Sequence, residues 1–182
     1  MLLLEGEGVT LRCLCFDLDD TLHNDGEAYR RAVRATCETA AADHCPEVPL
    51  DDLIARYVEV SDAFWAEVDV APHAFPAEEI RRAVWRRALA SFGRNDPDLA
   101  DRLAELYTGH RLNTYALFPG VEAMLEALCQ RYTLVMITNG VGPLQREKIT
   151  LFRLERHFDH ILVAGEVGHS KPAPEIYARA VA

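Results

Sequence analysis

Leu11-Arg12-Cys13-Leu14-Cys15-Phe16 runs directly into Asp17-Leu18-Asp19-Asp20-Thr21. An apolar run stopped abruptly by acids reads as a buried parallel strand that delivers carboxylates to the carboxyl edge of a sheet. In open α/β sheets, ligands bind at that edge. Two aspartates one residue apart can then divide the chemistry, one as nucleophile and one as acid and base. Taken alone, the string also suits a strand-end turn, because aspartates cap helices and favour turns. The order of elements further along the chain decides between the two.

From Gly26 to about Leu112 the pattern is helical throughout. Four amphipathic segments succeed one another, roughly Glu27–Asp43, Leu50–Val68, Ala77–Phe92 and Asp98–Leu112. In the third, Ile80, Val84, Ala88 and Leu89 form an apolar stripe, while Arg81, Arg82, Arg86 and Arg87 fall largely elsewhere and read as a solvated face. Breaks at Pro46 with Pro49, at Pro72 with Pro76, and at Asn95-Asp96-Pro97 carry turn or helix-start chemistry. Trp65 and Trp85 sit on apolar stripes and read as packing residues.

Strand and helix then alternate. Phe118-Pro119-Gly120 opens a helix to about Arg131, and Tyr132–Ile137 is a strand ending at Thr138-Asn139-Gly140. A helix from about Pro143 to Phe152 comes next, then the short Leu154–Phe158 segment and a strand at Ile161–Ala164. A loop carries Gly168-His169-Ser170-Lys171-Pro172 into a helix near Ala173. Such alternation implies a parallel sheet. At the amino end, Leu2–Leu4, the Glu5-Gly6-Glu7-Gly8 turn and Val9–Phe16 suggest a small hairpin leading into the first strand. The fold class is therefore α/β: a Rossmann-like parallel sheet core, C-terminally incomplete, with an inserted α-helical cap. Residues 1–23 and 115–182 form the core and residues 24–114 the cap.

Asp17-Leu18-Asp19-Asp20-Thr21, Thr138-Asn139-Gly140 and Lys171-Pro172, each after a core strand and in that order, resemble three motifs of the haloacid dehalogenase superfamily. Gln145-Arg146-Glu147-Lys148-Ile149 and Lys171-Pro172-Ala173-Pro174-Glu175-Ile176-Tyr177 look like its subgroup of pyrimidine nucleotidases and N-acylneuraminate-9-phosphate phosphatases. The resemblance implies a magnesium-dependent phosphomonoesterase acting on a small phosphorylated metabolite. Asp17 would attack phosphorus and form an aspartyl-phosphate, and Asp19 would protonate the leaving alcohol and later deprotonate water. Thr138, Asn139 and Lys171 would bind phosphate. The Asp17 carboxylate and the Asp19 main-chain carbonyl would ligate Mg2+, and the helical insertion would serve as a mobile lid. Taken singly, Lys171 reads as a solvated charge and Thr138-Asn139-Gly140 as a turn. Asp19 favours phosphate chemistry over dehalogenation, since a dehalogenase has no alcohol to protonate. A phosphomutase, a 2-haloacid dehalogenase and a catalytically dead binding or regulatory protein of the same fold are the rival readings.

The family's fourth motif, an acidic pair that holds magnesium, lies after another strand about 25 residues beyond the lysine. This sequence ends at Ala182, inside the helix after Lys171. On that ground the residues present are expected to bind magnesium poorly and to turn over slowly. Glu166 reads as a surface-loop acid rather than a substitute ligand. The Leu11–Phe16 strand is expected at an unpaired sheet edge, through which copies of the chain could self-associate.

Composition narrows the partners. A net charge of −10 argues against nucleic acid, whose backbone is bound by clustered Lys and Arg. No stretch approaches membrane-spanning length. Five cysteines without C-x-x-C spacing read as free thiols of a reducing cytoplasm. Cys13 and Cys15 are expected to pack on one buried strand face. His157 and His160 lack further ligands for zinc. His23 and His169, beside the first and third motifs, are placed to approach the substrate, though each reads first as an ordinary loop residue.

Overall fold

The computed structural model describes residues 11–70 and 77–180. Three parallel strands form a sheet in the order β1-β2-β3, with β1 at Cys13–Phe16, β2 at Thr133–Thr138 and β3 at His160–Val163. Register sets Phe16 against Met136 and Thr138 against Val163, so the carboxyl ends of all three strands emerge on one side. β2 is central and its side chains alternate between two cores, as a two-residue period requires. Leu134 and Met136 pack with Leu18, Leu22, Leu125 and Ile149. Val135 and Ile137 face the other way, onto Ala164 and Ile176. The α/β architecture expected from the alternation is present.

Between β1 and β2 lie four long helices: α1 at Asp25–Asp43, α2 at Leu50–Val70, α3 at Ala77–Ala90 and α4 at Pro97–Thr114. α1 and α3 each pack on both α2 and α4. They enclose a core of their own built on Tyr57, Phe64, Trp85, Leu89 and Leu103. α4 starts where its sequence predicts, because the Asp96 side chain accepts the Leu99 N–H at 2.9 Å and Pro97 fills the first turn. The sheet part is completed by α5 (Val121–Leu128), α6 (Gly142–Leu151), a 3-10 turn (Leu154–His157), α7 (Ala164–Val167) and α8 (Pro174–Ala180).

Three expectations need correction. The first strand is shorter than the apolar run and is not buried on both faces, so Cys15 is exposed and Cys13 half-buried. The reason is coverage: α8 packs on β2 and β3, and β1 has a strand neighbour on one side only among the described residues. The segment holding Glu166 is not a loop but the short helix α7, where Glu166 binds Arg146 through both carboxylate oxygens at 2.9 and 2.6 Å. His23, expected as a loop residue, is fully buried. The proposed hairpin through Leu2–Leu4 lies outside the described residues.

α7 brings backbone against the turn after β2. Gly165 N–H donates to the Gly140 carbonyl at 3.0 Å. A Cβ at position 165 would meet that oxygen at 2.8 Å and the Gly142 nitrogen at 3.0 Å, both backbone atoms unable to swing aside. Gly165→Ala is therefore expected to destabilise the fold by about 1–3 kcal/mol, the range of overpacked sites. Urea unfolding of the variant measures it, and an unchanged midpoint would contradict the close approach.

Candidate active site

Every sequence-predicted site residue lies at the carboxyl end of the sheet. Asp17 directly follows β1, and its Oδ1 accepts the Leu18 N–H at 2.8 Å. The same oxygen meets Lys171 Nζ at 2.6 Å, across more than 150 residues of chain. The Lys171 backbone is fastened by Asn139, whose Oδ1 accepts the Lys171 N–H at 2.7 Å and whose Nδ2 donates to the Lys171 carbonyl at 3.0 Å. The Asn139 side chain is thus engaged in placing the lysine, and its backbone carbonyl accepts from Gln145. Thr138 ends β2 with its side chain almost wholly buried. Its hydroxyl donates to the Asn139 carbonyl at 3.3 Å and accepts from Gln145 Nε2 at 2.7 Å.

Asp20 turns the chain away from β1 with a positive φ of 53°, a region that aspartate tolerates better than most residues. Its Oδ1 accepts the Gly26 N–H at 2.9 Å and so ties the turn to the first turn of α1.

Asp19 is held by more partners than Asp17. Oδ1 accepts from His23 Nε2 at 2.8 Å and from Lys148 Nζ at 2.7 Å, and Oδ2 accepts from Gln145 at 2.9 Å. Burial alone would push its acidity down. The His23 hydrogen bond, the Lys148 charge and the Gln145 amide outweigh that and hold the carboxyl well below the usual carboxylate range. Lys148 Nζ also lies 3.0 Å from Asp25 Oδ1, and Asp25 in turn takes Arg111 Nη2 at 2.7 Å. An ion-paired chain therefore runs from Asp19 through Lys148 and Asp25 to Arg111, joining the sheet part to α1 and α4. The Arg111 guanidinium also binds the Tyr115 hydroxyl at 3.0 and 2.8 Å and lies over its ring.

Asp19, His23 and Asp25 could in principle share a metal, with one ligand atom from each within 4.8 Å of the others. The Lys148 ammonium already stands against the Asp19 and Asp25 oxygens, so a cation of the protein's own occupies that charge. His157 and His160 do not converge: His157 is buried beside Arg156, and His160 is exposed on β3.

A cavity of about 310 Å³ opens between the sheet end and the helices. Asp19, Asn139, Gln145 and Lys148 line one end, and Tyr29, Tyr57, Trp65, Ile80, Val84 and Tyr107 line the other. Asp17, Thr138 and Lys171 stand outside its wall. Of the four arginines of α3, Arg81 reaches the cavity and pairs with Glu147 at 3.2 Å. Arg82, Arg86 and Arg87 bind Glu79, Asp101 and Glu67 on the outer surface, as a solvated face would. Trp85 packs in the helical core, as its stripe predicted, but Trp65 also lines the cavity. Burial pushes the Tyr29 phenol up to about 12.

Sequence reasoning missed Asp25 and Arg111 and the roles of His23, Gln145 and Lys148 as partners of Asp19. Gln145 and Lys148 were visible as part of a motif-like string. Their spacing of three places both on one face of α6, which points them together at Asp19. Nothing local marks Arg111, whose partner is 86 residues away.

Comparison with known proteins agrees with the geometry. A family model described as haloacid dehalogenase-like hydrolase matches residues 11–182. Phosphoserine phosphatase of Thermus thermophilus is 33% identical, aligned over 94% of this chain and 75% of that protein. N-acylneuraminate-9-phosphatase of Rattus norvegicus is 28% identical, over 92% of this chain and 66% of that protein. The chain thus spans about two thirds to three quarters of the length of these relatives. The crystal structure of a 2-haloacid dehalogenase from Pseudomonas syringae is 28% identical with a TM-score of 0.60, covering 94% of this chain and 72% of that one. YfnB of Bacillus subtilis, solved with magnesium, shares the fold at a TM-score of 0.61 and 24% identity, over 94% of this chain and 71% of that one. No described helix is long and apolar enough to cross a membrane. With its strand-end aspartates, its lysine and its sheet order in place, the chain belongs to the haloacid dehalogenase-like hydrolase family.

Proposed function

We propose that this chain hydrolyses a small phosphomonoester by way of a phosphoryl group carried on Asp17. The observation that supports it is the contact of the Asp17 carboxylate with the Lys171 ammonium at 2.6 Å, at the sheet edge, with Asp19 on the cavity wall behind it. In this reading residues 1–23 and 115–182 are the catalytic core and residues 24–114 the cap. The phosphate sits over Asp17 and Lys171, against the Thr138–Asn139 turn, and the alcohol half extends past Asp19 into the cavity.

Asp17 attacks phosphorus, and the bond to the alcohol oxygen breaks as that oxygen takes a proton from Asp19. Water then attacks the aspartyl-phosphate, gives its proton to Asp19 and releases phosphate and the Asp17 carboxylate. The three donors around Asp19 favour its ionised form and so suit the second step. The first step needs it protonated, which the arriving phosphate promotes by placing negative charge nearby. Such acid and base assistance contributes about 10²–10⁴-fold.

The Asp17 side chain is 42% exposed and offers a hard oxygen. With the Asp19 main-chain carbonyl it makes the partial oxygen set that magnesium accepts alongside water and phosphate. Bound there, magnesium would offset the repulsion between carboxylate and phosphate, about 4 kcal/mol per pair of unit charges at 4 Å in an effective dielectric near 20.

The likeness to a 2-haloacid dehalogenase supports a second reading, in which Asp17 displaces halide. Asp19, an acid placed where an alcohol would leave, favours the first. The test assays phosphate release from a general phosphate ester with magnesium and after chelation, beside halide release from a 2-haloacid. Phosphate release that needs the metal is the expected result. Halide release without metal, and no phosphate, would replace this reading by the second.

A further inference from the structure

The cavity wall carries information about the alcohol half of the ester. Its inner end is ring-lined, with Tyr29, Tyr57, Trp65 and Tyr107 alongside Ile80 and Val84. Its charged groups are already spent on one another: Arg81 on Glu147, Arg111 on Asp25, and Lys148 on Asp19 and Asp25. A zwitterionic guest such as serine needs an unpaired cation for its carboxylate and an unpaired anion for its ammonium. Among the described residues lining the cavity, every cation is paired. Burying an unpaired charge is costly. What remains available is neutral: the buried Tyr29 hydroxyl donates its proton to no acceptor among the described residues. Ser61 stands beside the phenol as a hydrogen-bond donor to its oxygen, which opposes the effect of burial and leaves the phenol's own proton free. The volume, about 310 Å³, is at the small end of ligand pockets, which run about 300–1,000 Å³, and suits a single compact ring system.

Resting on the phosphomonoesterase reading, we propose that the alcohol half of the substrate is an uncharged, ring-bearing group. It lies against Trp65 and accepts a hydrogen bond from Tyr29. Small zwitterionic esters are excluded by the self-paired charges of the wall. This goes beyond the relatives, one of which acts on phosphoserine by its name.

Two measurements test it, and they separate the pocket from the chemistry. Calorimetric titration compares benzylphosphonate with propylphosphonate, neither of which can be hydrolysed. The ring should bind about 10-fold tighter or better, the discrimination that apolar pockets achieve. Equal affinities would overturn the proposal whatever the enzyme's activity. Hydrolysis of benzyl phosphate, propyl phosphate and phosphoserine is then compared, because alkyl alcohols of this kind leave with similar ease. Expected is the order benzyl over propyl over phosphoserine in kcat/KM. Trp65→Ala should collapse the benzyl-to-propyl ratio, and Trp65→Phe, which keeps a ring in place, should largely preserve it. Phosphoserine as the best ester would overturn the proposal and leave the phosphatase reading intact. Preferential binding of benzylphosphonate with no ester cleaved would support the pocket and sink the phosphatase reading instead.

Discussion

Asp17→Asn is expected to lower kcat by at least about 10³-fold, since removing a nucleophile that acts with its partners as a unit costs rates of that order or more. The amide keeps the shape of the carboxylate and loses its charge. It also leaves Lys171 without the partner it holds at 2.6 Å. Inorganic phosphate should therefore bind the variant more tightly than the parent, because an anion–anion repulsion is gone and a cation is freed. The two effects run in opposite directions, which distinguishes a nucleophile from a mere structural anchor. An anchor lost would weaken both binding and turnover. Single-turnover assays with calorimetric titration of phosphate read both. An unchanged kcat would remove Asp17 from the role.

Lys148→Met should produce the largest stability change. The Lys148 side chain is 8% exposed and its ammonium is the shared partner of Asp19 and Asp25, whose side chains are 33% and 22% exposed. Removing one member of a buried pair typically costs about 3–5 kcal/mol, because the remaining charge stays buried and uncompensated. Here the carboxylates keep some access to water, so about 2–4 kcal/mol is expected from urea unfolding. Asp25 retains Arg111 and Asp19 retains His23 and Gln145, which places the effect below that of a fully orphaned pair. Lys148→Arg should recover part of the loss. A fully neutral Lys148→Met would show that the ion-paired chain between the sheet part and the helices contributes nothing net.

The parts of the fold that repeat a local period were legible from the residues. β2, with its run of successive apolar positions, and the four helices, three of them with Pro-bounded starts, need only nearest-neighbour information. The order of the three motifs placed Asp17, Asp19, Thr138, Asn139 and Lys171 at one sheet edge, where the structure also has them. Burial of β1 was misjudged because an apolar run says what a strand would tolerate, not how many neighbours it has. His23 is the sharper case. A histidine in a polar turn reads as solvent-facing, yet its ring packs in a cluster with Tyr115 and Phe152, residues far along the chain. The Asp25–Arg111 pair and the cavity were equally hidden, since both depend on how helices distant in sequence come to face each other.

The two places where the chain enters and leaves the four helices are laced together. Asn24 N–H donates to the Ala116 carbonyl at 3.1 Å, and Asn24 Oδ1 accepts the Ala116 N–H at 2.7 Å. Its amide also reaches the Thr114 carbonyl at 3.3 Å. Two crossings stitched side by side act mechanically as one pivot, so the helical block would swing about a single axis and could not slide across the sheet end. Swinging outward would separate Arg81 on α3 from Glu147 on α6, while Asp25, one residue from the pivot, would keep its place beside Lys148. Access to the cavity would then change while the charges around the proton carrier stay set.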